Sequence, residues 1–419
     1  MRTWFPHTSR AAPAALAITA AAALALAGCS NGGSGGGGGS SKSPIVIGAA
    51  LSLSGDNSAD GIAYERGYEL WANDVNRAGG LLGRHVDLDI LNDNSDPNQV
   101  VTDYEKLINI DHVDLLFGPF STGLTKPAAT VAHRYGYAFV EGAGGAPSVF
   151  QLGYNDVFDV SLPVIGALQP LINWLKALPA GQRPKSIAYV TSTDTFTQPQ
   201  VVQAQQELSA DGYPTAYNKS FPSEVTDYLP IADQVSAAHA DAVILGSVDV
   251  PTVTAFIHAF AEQHYNPKIF IATAGPDQGA AFVSAAGASD TNGVMVPNGW
   301  YPGEDIAASK QVVSEYVAKY GGTASGVNAD IAEAYSVGMV MAQAVTATNG
   351  TSNAAIISYL HSGVTLNSAQ GPVQFNSEGE NLKPAAYVFQ WQKGNFVQVL
   401  PVGDKNSVAI QYPKANWGT

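Results

Sequence analysis

Apolar residues in this chain alternate between short continuous runs and helical spacings. Residues 45–51 (IVIGAAL) are apolar almost throughout, as expected for a strand buried on both faces. A small polar loop follows at 52–58. Over 61–78, Ile62, Ala63, Gly67, Leu70, Trp71 and Val75 recur at a helical period, and Gly79 with Gly80 stops the helix. Residues 86–91 alternate Val, Leu and Ile with Asp, which predicts a strand nearer a sheet edge. Asp96, Pro97 and Gln99 open a helix that carries Val100, Val101, Tyr104, Leu107 and Ile108. The run 113–117 predicts a buried strand, and Gly118 and Pro119 turn the chain. Ser121 and Thr122 then start a helix to about Arg134, with Pro127 in its first turn or so. A strand at 137–140 leads into the loop 141–147 (EGAGGAP). The pattern is βαβαβαβ, a doubly wound parallel sheet.

A second series has the same grammar. Strands are expected at 186–190, 216–221, 242–245 and 269–272, and helices at 228–238 and 250–263. Thr197 and Gln200 predict a capping box opening a helix to about Ala210. Beyond it come a strand at 293–297, helices at 307–320, 329–348 and 353–360, and short strands at 372–375, 385–391 and 396–399.

The N-terminus changes the picture of where this domain sits. Arg2 and Arg10 precede an Ala- and Leu-rich run, 11–27, too short to span a bilayer comfortably. It ends in Leu26-Ala27-Gly28-Cys29, which resembles a bacterial lipobox. That resemblance implies a signal peptide over 1–28, cleavage before Cys29 and lipid on its thiol. Cys29 is the single cysteine, so no intramolecular disulfide is possible. Residues 29–44 read as lipidated Cys plus a Gly/Ser tether. The expected location is the extracytoplasmic face of the cell membrane, with the domain on a leash. The charge of −15, from 35 acidic and 20 basic residues, argues against nucleic acid and against docking on an anionic membrane surface.

Five ordered stretches carry a family resemblance: 45–84, with its Ser54-Gly55 pair and Ala78-Gly79-Gly80-Leu81; 91–97 (LNDNSDP); 117–129 (FGPFSTGLTKPAA); 141–147; and 371–375 (GPVQF) with Gly379 and 387–391. Together they resemble the type I periplasmic binding proteins, in particular the leucine/isoleucine/valine-binding family of ABC-transporter substrate-binding lipoproteins. The resemblance implies an α/β fold of two doubly wound parallel-sheet lobes joined by three hinge crossings, near 160–166, 293–301 and 370–376. The lobes would be 45–162 with 293–372, and 163–292 with 373–415. A small amino acid, branched-chain ones included, or an organic carboxylate would bind in the interlobe cleft and pass to ABC permease subunits in the membrane.

The same resemblance implies site residues. The substrate carboxylate would be held by Ser121, with Thr122 beside it, and by Ala143, Gly144 and Gly145, where Gly145 replaces a family Thr and leaves backbone N–H groups. Ser54 and Asp60 come from the first loop region, Phe196 would cover the ligand, and Asp249 follows Val248 at another position common for an aromatic. Asp277 lies near the place of an acid that pairs with the substrate ammonium. Asp60, Glu141, Asp194, Asp249 and Asp277 are all candidates for that role, because the family's acid on the first crossing has no counterpart. Trp300 and Tyr301 line the cleft or pack the hinge. No cofactor, metal or catalytic residue is expected: the folded part has no His-Glu-x-x-His, no Gly-x-Ser-x-Gly and no supported Ser-x-x-Lys. The alternative function is a ligand-sensing receptor domain that signals to a membrane partner.

Overall fold

The computed structural model describes residues 43–223 and 225–418. The expected signal peptide, Cys29 and nearly all of the tether lie outside them.

The first half runs β1 (Ile45–Leu51), α1 (Ser58–Arg77), β2 (Val86–Asn92), α2 (Pro97–Asn109), β3 (Leu115–Phe117), α3 (Thr122–Arg134), β4 (Phe139–Glu141), α4 (Pro147–Phe150) and β5 (Val157–Asp159). These strands make a parallel sheet in the order β2-β1-β3-β4-β5. The expected edge strand, β2, is at its edge. The chain continues through α5 (Gln169–Ala177), β6 (Ile187–Ser192), α6 (Thr197–Ala210), β7 (Thr215–Phe221), α7 (Leu229–Ala237), β8 (Ala242–Gly246), α8 (Val250–Glu262), β9 (Ile269–Ala272), α9 (Ala280–Ala286) and β10 (Val294–Asn298). It closes with α10 (Ala307–Tyr320), α11 (Ala329–Thr348), α12 (Asn353–Leu360), the hairpin β11 (Leu366–Ser368) and β12 (Gly371–Val373), then β13 (Tyr387–Gln392) and β14 (Asn395–Leu400). The second sheet has the order β14-β13-β10-β9-β8-β6-β7, parallel except where β13 pairs antiparallel with β10 and β14.

Alternation along each strand explains the two-sided cores. Ile45, Ile47, Ala49 and Leu51 face one cluster with α1 and α11, while Ala50 joins the opposite cluster with α2 and α3. In the second sheet Ile187, Ile244 and Ile271 face one side and Val190, Val243 and Phe270 the other.

The second crossing falls inside its expected range, at its far end, and the third shifts. β10 pairs with β9 and β13, so residues 294–298 belong to the second sheet rather than to the first lobe. The first lobe resumes at Trp300, which is buried in its core. The third crossing comes after 370–376: Phe375 packs in the first lobe, and the Asn381 side chain still donates to Val160 O (2.9 Å). Elements β5, α5, α9 and β11 had no counterpart in the sequence reading. The expected capping box at Thr197 is absent. Thr197 is already helical, and its N–H and that of Phe196 donate to Asp194 Oδ1 (3.2 and 2.7 Å). Pro127 lies past the first turn of α3, inside the helix.

The tightest helix contact of the first lobe is α1 on α11. A Cβ built on Gly338 would stand 2.2 Å from the Trp71 ring. Gly338→Ala should therefore destabilise the fold by about 1–3 kcal/mol through overpacking, against the usual helical gain for that change. Urea unfolding of the two proteins checks it; an equal or higher midpoint for the variant contradicts the packing argument.

Candidate functional site

A cavity of about 310 Å³ lies between the carboxyl ends of the two sheets. That is where open α/β sheets leave room for ligands, because the strand-to-helix loops diverge there. The volume is near the small end for small-molecule pockets.

One wall is the start of α3. Its helical bonds begin with Leu124 and Thr125, whose N–H groups donate to Ser121 O (3.0 and 2.8 Å). The N–H groups of Thr122 and Gly123 precede the first bond, and Ser121 makes no capping bond with its own hydroxyl. Ser121, Thr122 and Gly123 all line the cavity. This wall offers donors and the positive end of a helix dipole. Phe120 lines it as well, packed on Tyr64 with ring centroids 5.5 Å apart.

The next loop is used differently from the expectation. Ala143 N and Gly144 N both donate to Glu141 Oε2 (2.8 and 2.5 Å), so neither N–H is available to a ligand. Gly144 does not line the cavity; a Cβ there would strike Thr125 and Glu141. Ala143 and Gly145 do line it. Gly145 presses on the first crossing: a Cβ would come within 2.8 Å of Asp159 Oδ2 and 3.1 Å of Leu162 O. The space a family Thr would fill is occupied by the hinge.

The cavity is also lined by acids. Asp60, Asp194, Asp277, Asp330 and Glu333 line the cavity, and no Lys, Arg or His does so among the described residues. None of the five makes an ion pair there. Burial is the first cause that raises the carboxyl pKa of four of them. Asp277 is pushed up to about 6 and Glu333 to about 8; Asp60 is raised, and Asp330, which also faces the charges of Asp60 and Glu333, goes well above its usual range. Beneath the loop, burial raises Asp159 to about 7 and, with Asp159 as neighbour, lifts Glu141 well above the usual carboxylate range.

Asp330 and Glu333 were missed by the sequence reading. They stand three residues apart in the first turns of α11, hence on one face. The signal was present as Ala329-Asp-Ile-Ala-Glu333, but nothing in one sequence says that this helix start reaches the cleft. Gln278, also missed, spans the two lobes: its Nε2 donates to Asp60 Oδ1 (2.8 Å), and Asn328 Nδ2 donates to its Oε1 (3.5 Å).

Of the other expected residues, Phe196 and Asp277 line the cavity. Asp277 accepts from Gly275 N (2.9 Å) and Asn298 Nδ2 (3.2 Å). Asp249 does not line it; its Oδ1 caps α8 by accepting from Thr252 N (2.7 Å). Ser54 does not either, because its hydroxyl donates to Asn94 Oδ1 (2.7 Å) and fastens the first loop to the turn after β2. Trp300 and Tyr301 pack the hinge region: Trp300 Nε1 donates to Ser309 Oγ (2.9 Å), and Tyr301 lies on Tyr387 and Phe389. Among the described residues no group of His, Cys, Asp and Glu could hold a metal ion, and no helix is long and apolar enough to cross a membrane.

Comparison with known proteins places this geometry. The chain is 23% identical over 368 residues to the Leu/Ile/Val-binding protein homolog 7 of Brucella melitensis, covering 84% of this chain and 88% of the relative. It is 24% identical over 277 residues to the amino acid binding protein of Pseudomonas aeruginosa, covering 65% and 71%. Its fold is similar to that of the branched-chain amino acid transporter substrate binding protein LivJ from Streptococcus pneumoniae in complex with isoleucine (TM-score 0.74, 18% identity, 84% and 97% covered). It is also similar to an ABC transporter solute binding protein from R. palustris in complex with benzoate (TM-score 0.72, 17% identity, 89% and 98% covered). The periplasmic binding protein family profile matches residues 44–395, and the chain belongs to that family.

Proposed function

We propose that this chain is the extracytoplasmic substrate-binding lipoprotein of an ABC importer. It binds a small amino acid or organic carboxylate between its lobes and hands it to a permease. The observation that carries this reading is the cavity with free N–H groups and the Ser121 hydroxyl at the α3 terminus. The isoleucine and benzoate held by the two similar structures share one group, a carboxylate, and that is the group a helix start receives. The arrangement provides binding groups and no activated nucleophile, so the role is capture and release rather than turnover. Hinge closure would bury the ligand, and the permease would read the closed form. Lipid on Cys29 would keep the domain beside its membrane partner.

Titration of the full chain against amino acids and aromatic and aliphatic carboxylates should give a micromolar or tighter binder. Ser121→Ala should weaken it about 10-fold, the worth of one hydrogen bond to a charged group. Binding of sugars or nucleobases alone, with Ser121→Ala silent, contradicts the reading. For the anchor, Cys29→Ser should abolish labelling by a radioactive fatty acid and move the protein from the membrane pellet to the soluble fraction. A variant that is still labelled would show that lipid is attached elsewhere.

The acidic wall sets the pH response of the empty protein. Asp277, Asp159 and Glu333 have raised pKa values when folded, so the folded chain holds protons that the unfolded chain has lost. Their stabilising contribution is complete below about pH 4 and is lost as pH rises through about 6 to 8. The melting temperature of the ligand-free protein should fall between pH 5 and pH 8, and Glu333→Gln should flatten the upper part of that fall. Melting curves at fixed ionic strength decide it, with a flat or rising wild-type profile as the contrary result.

A further inference from the structure

We propose that the ligand is a cationic amino acid: besides the carboxylate and α-ammonium it carries an amine or guanidinium, seated among Asp60, Asp330 and Glu333. This rests on the reading of the cleft as the ligand site and narrows its substrate class.

The charge inventory of the cavity leads there. Five carboxyl groups face it, with no basic side chain among the described residues. A neutral amino acid brings one ammonium, and the α3 terminus already serves its carboxylate. One ammonium meets one or two of the acids. The remaining carboxyls would be enclosed with neutral hydrogen-bond donors but no opposite charge, which is costly unless they are protonated. The cluster also draws on separate elements. Asp60 comes from α1 and Asp330 and Glu333 from α11, and the second lobe adds Asp277 from the loop after β9. Asp60 accepts from Gln278 Nε2 (2.8 Å) and Asp330 from Asn328 Nδ2 (3.1 Å), neutral donors in place of which a cationic group would be the stronger partner for both.

An independent observation points to the same chemistry. Gln200 is fully buried and lines the cavity, and its Oε1 has no hydrogen-bond partner among the described residues. Its amide orientation is fixed, because Nε2 donates to Phe196 O (3.1 Å). The atom left over is an acceptor that only a donor from the ligand would satisfy. Carboxyls without an opposite charge and the unused Gln200 amide oxygen together call for a ligand with several N–H donors and positive charge. An aliphatic side chain would leave all of them unmet.

The test uses isosteric pairs on the wild-type full chain at low salt: lysine against norleucine and arginine against citrulline, with leucine and benzoate as references. Isothermal titration should show at least one cationic member binding about 100-fold tighter than its neutral partner, since a site built around a polar group rejects the analogue lacking it. Asp330→Asn and Glu333→Gln should each lower that ratio about 10-fold. The isostere pairs decide the matter even if either variant fails to fold. Norleucine, leucine or benzoate binding as tightly as lysine and arginine would overturn the cationic class while leaving the carboxylate-binding reading in place. Binding of sugars or nucleobases only, or of none of these probes, would sink both.

Discussion

A parallel strand covered by helices on both faces can present chemistry only at its ends. Everything functional in this chain follows from that constraint. Ile187 to Ser192 are buried along their whole length and Ile45 to Leu51 at every position but Val46, so their side chains are used up in packing. What remains free is the set of loops leaving the carboxyl ends, and two such sets face each other. Helices that begin there bring unbonded N–H groups, which explains the donor wall at α3. The acidic wall has a different origin. It is built largely on α1 and α11, which pack together so tightly that Gly338 sits against the Trp71 ring. That packing fixes the spacing of Asp60 to Asp330 and Glu333.

Removing a carboxyl group from water favours its neutral form unless a positive charge is near. With no basic residue lining the cavity among the described residues, burial favours the protonated form of its acids, and neutral donors such as Gln278 Nε2 and Asn328 Nδ2 bond them. Such an arrangement is poor for stability and good for recognition, because an arriving cation finds carboxyls that no opposite charge has met.

Much of the fold was legible in the sequence. Helices over Ala307–Tyr320, Ala329–Thr348 and Asn353–Leu360, and strands over Ile45–Leu51 and Ile269–Ala272, are found at their expected bounds, because long periodic segments and continuous apolar runs carry strong local signals. Short elements were lost. Strand Val157–Asp159 is three residues long and owes its conformation to pairing with β4, a contact its own sequence does not encode. The site was legible only as loops. Asp249 read as a binding acid and is a helix cap; Asp330 and Glu333 read as an ordinary helix start and face the cleft. Identical residue types serve both uses, and only the packing of distant elements separates them.

The loop that carries Ala143 and Gly145 is also stitched to the first crossing. Val160 N donates to Glu141 O (3.0 Å) and Val164 N to Gly145 O (2.9 Å). Below them the Asn381 side chain holds Val160 O. The crossing is therefore splinted to the first lobe as far as Val164. Gly166, whose φ of 111° suits glycine alone, is already bonded to the second lobe through Gln203 Oε1 (3.1 Å) and Gln169 N (2.9 Å), which leaves Ile165 between the two attachments. A swinging second lobe would turn about a fulcrum set beyond the pocket floor, so the floor travels with the donor wall and stays assembled in the open state.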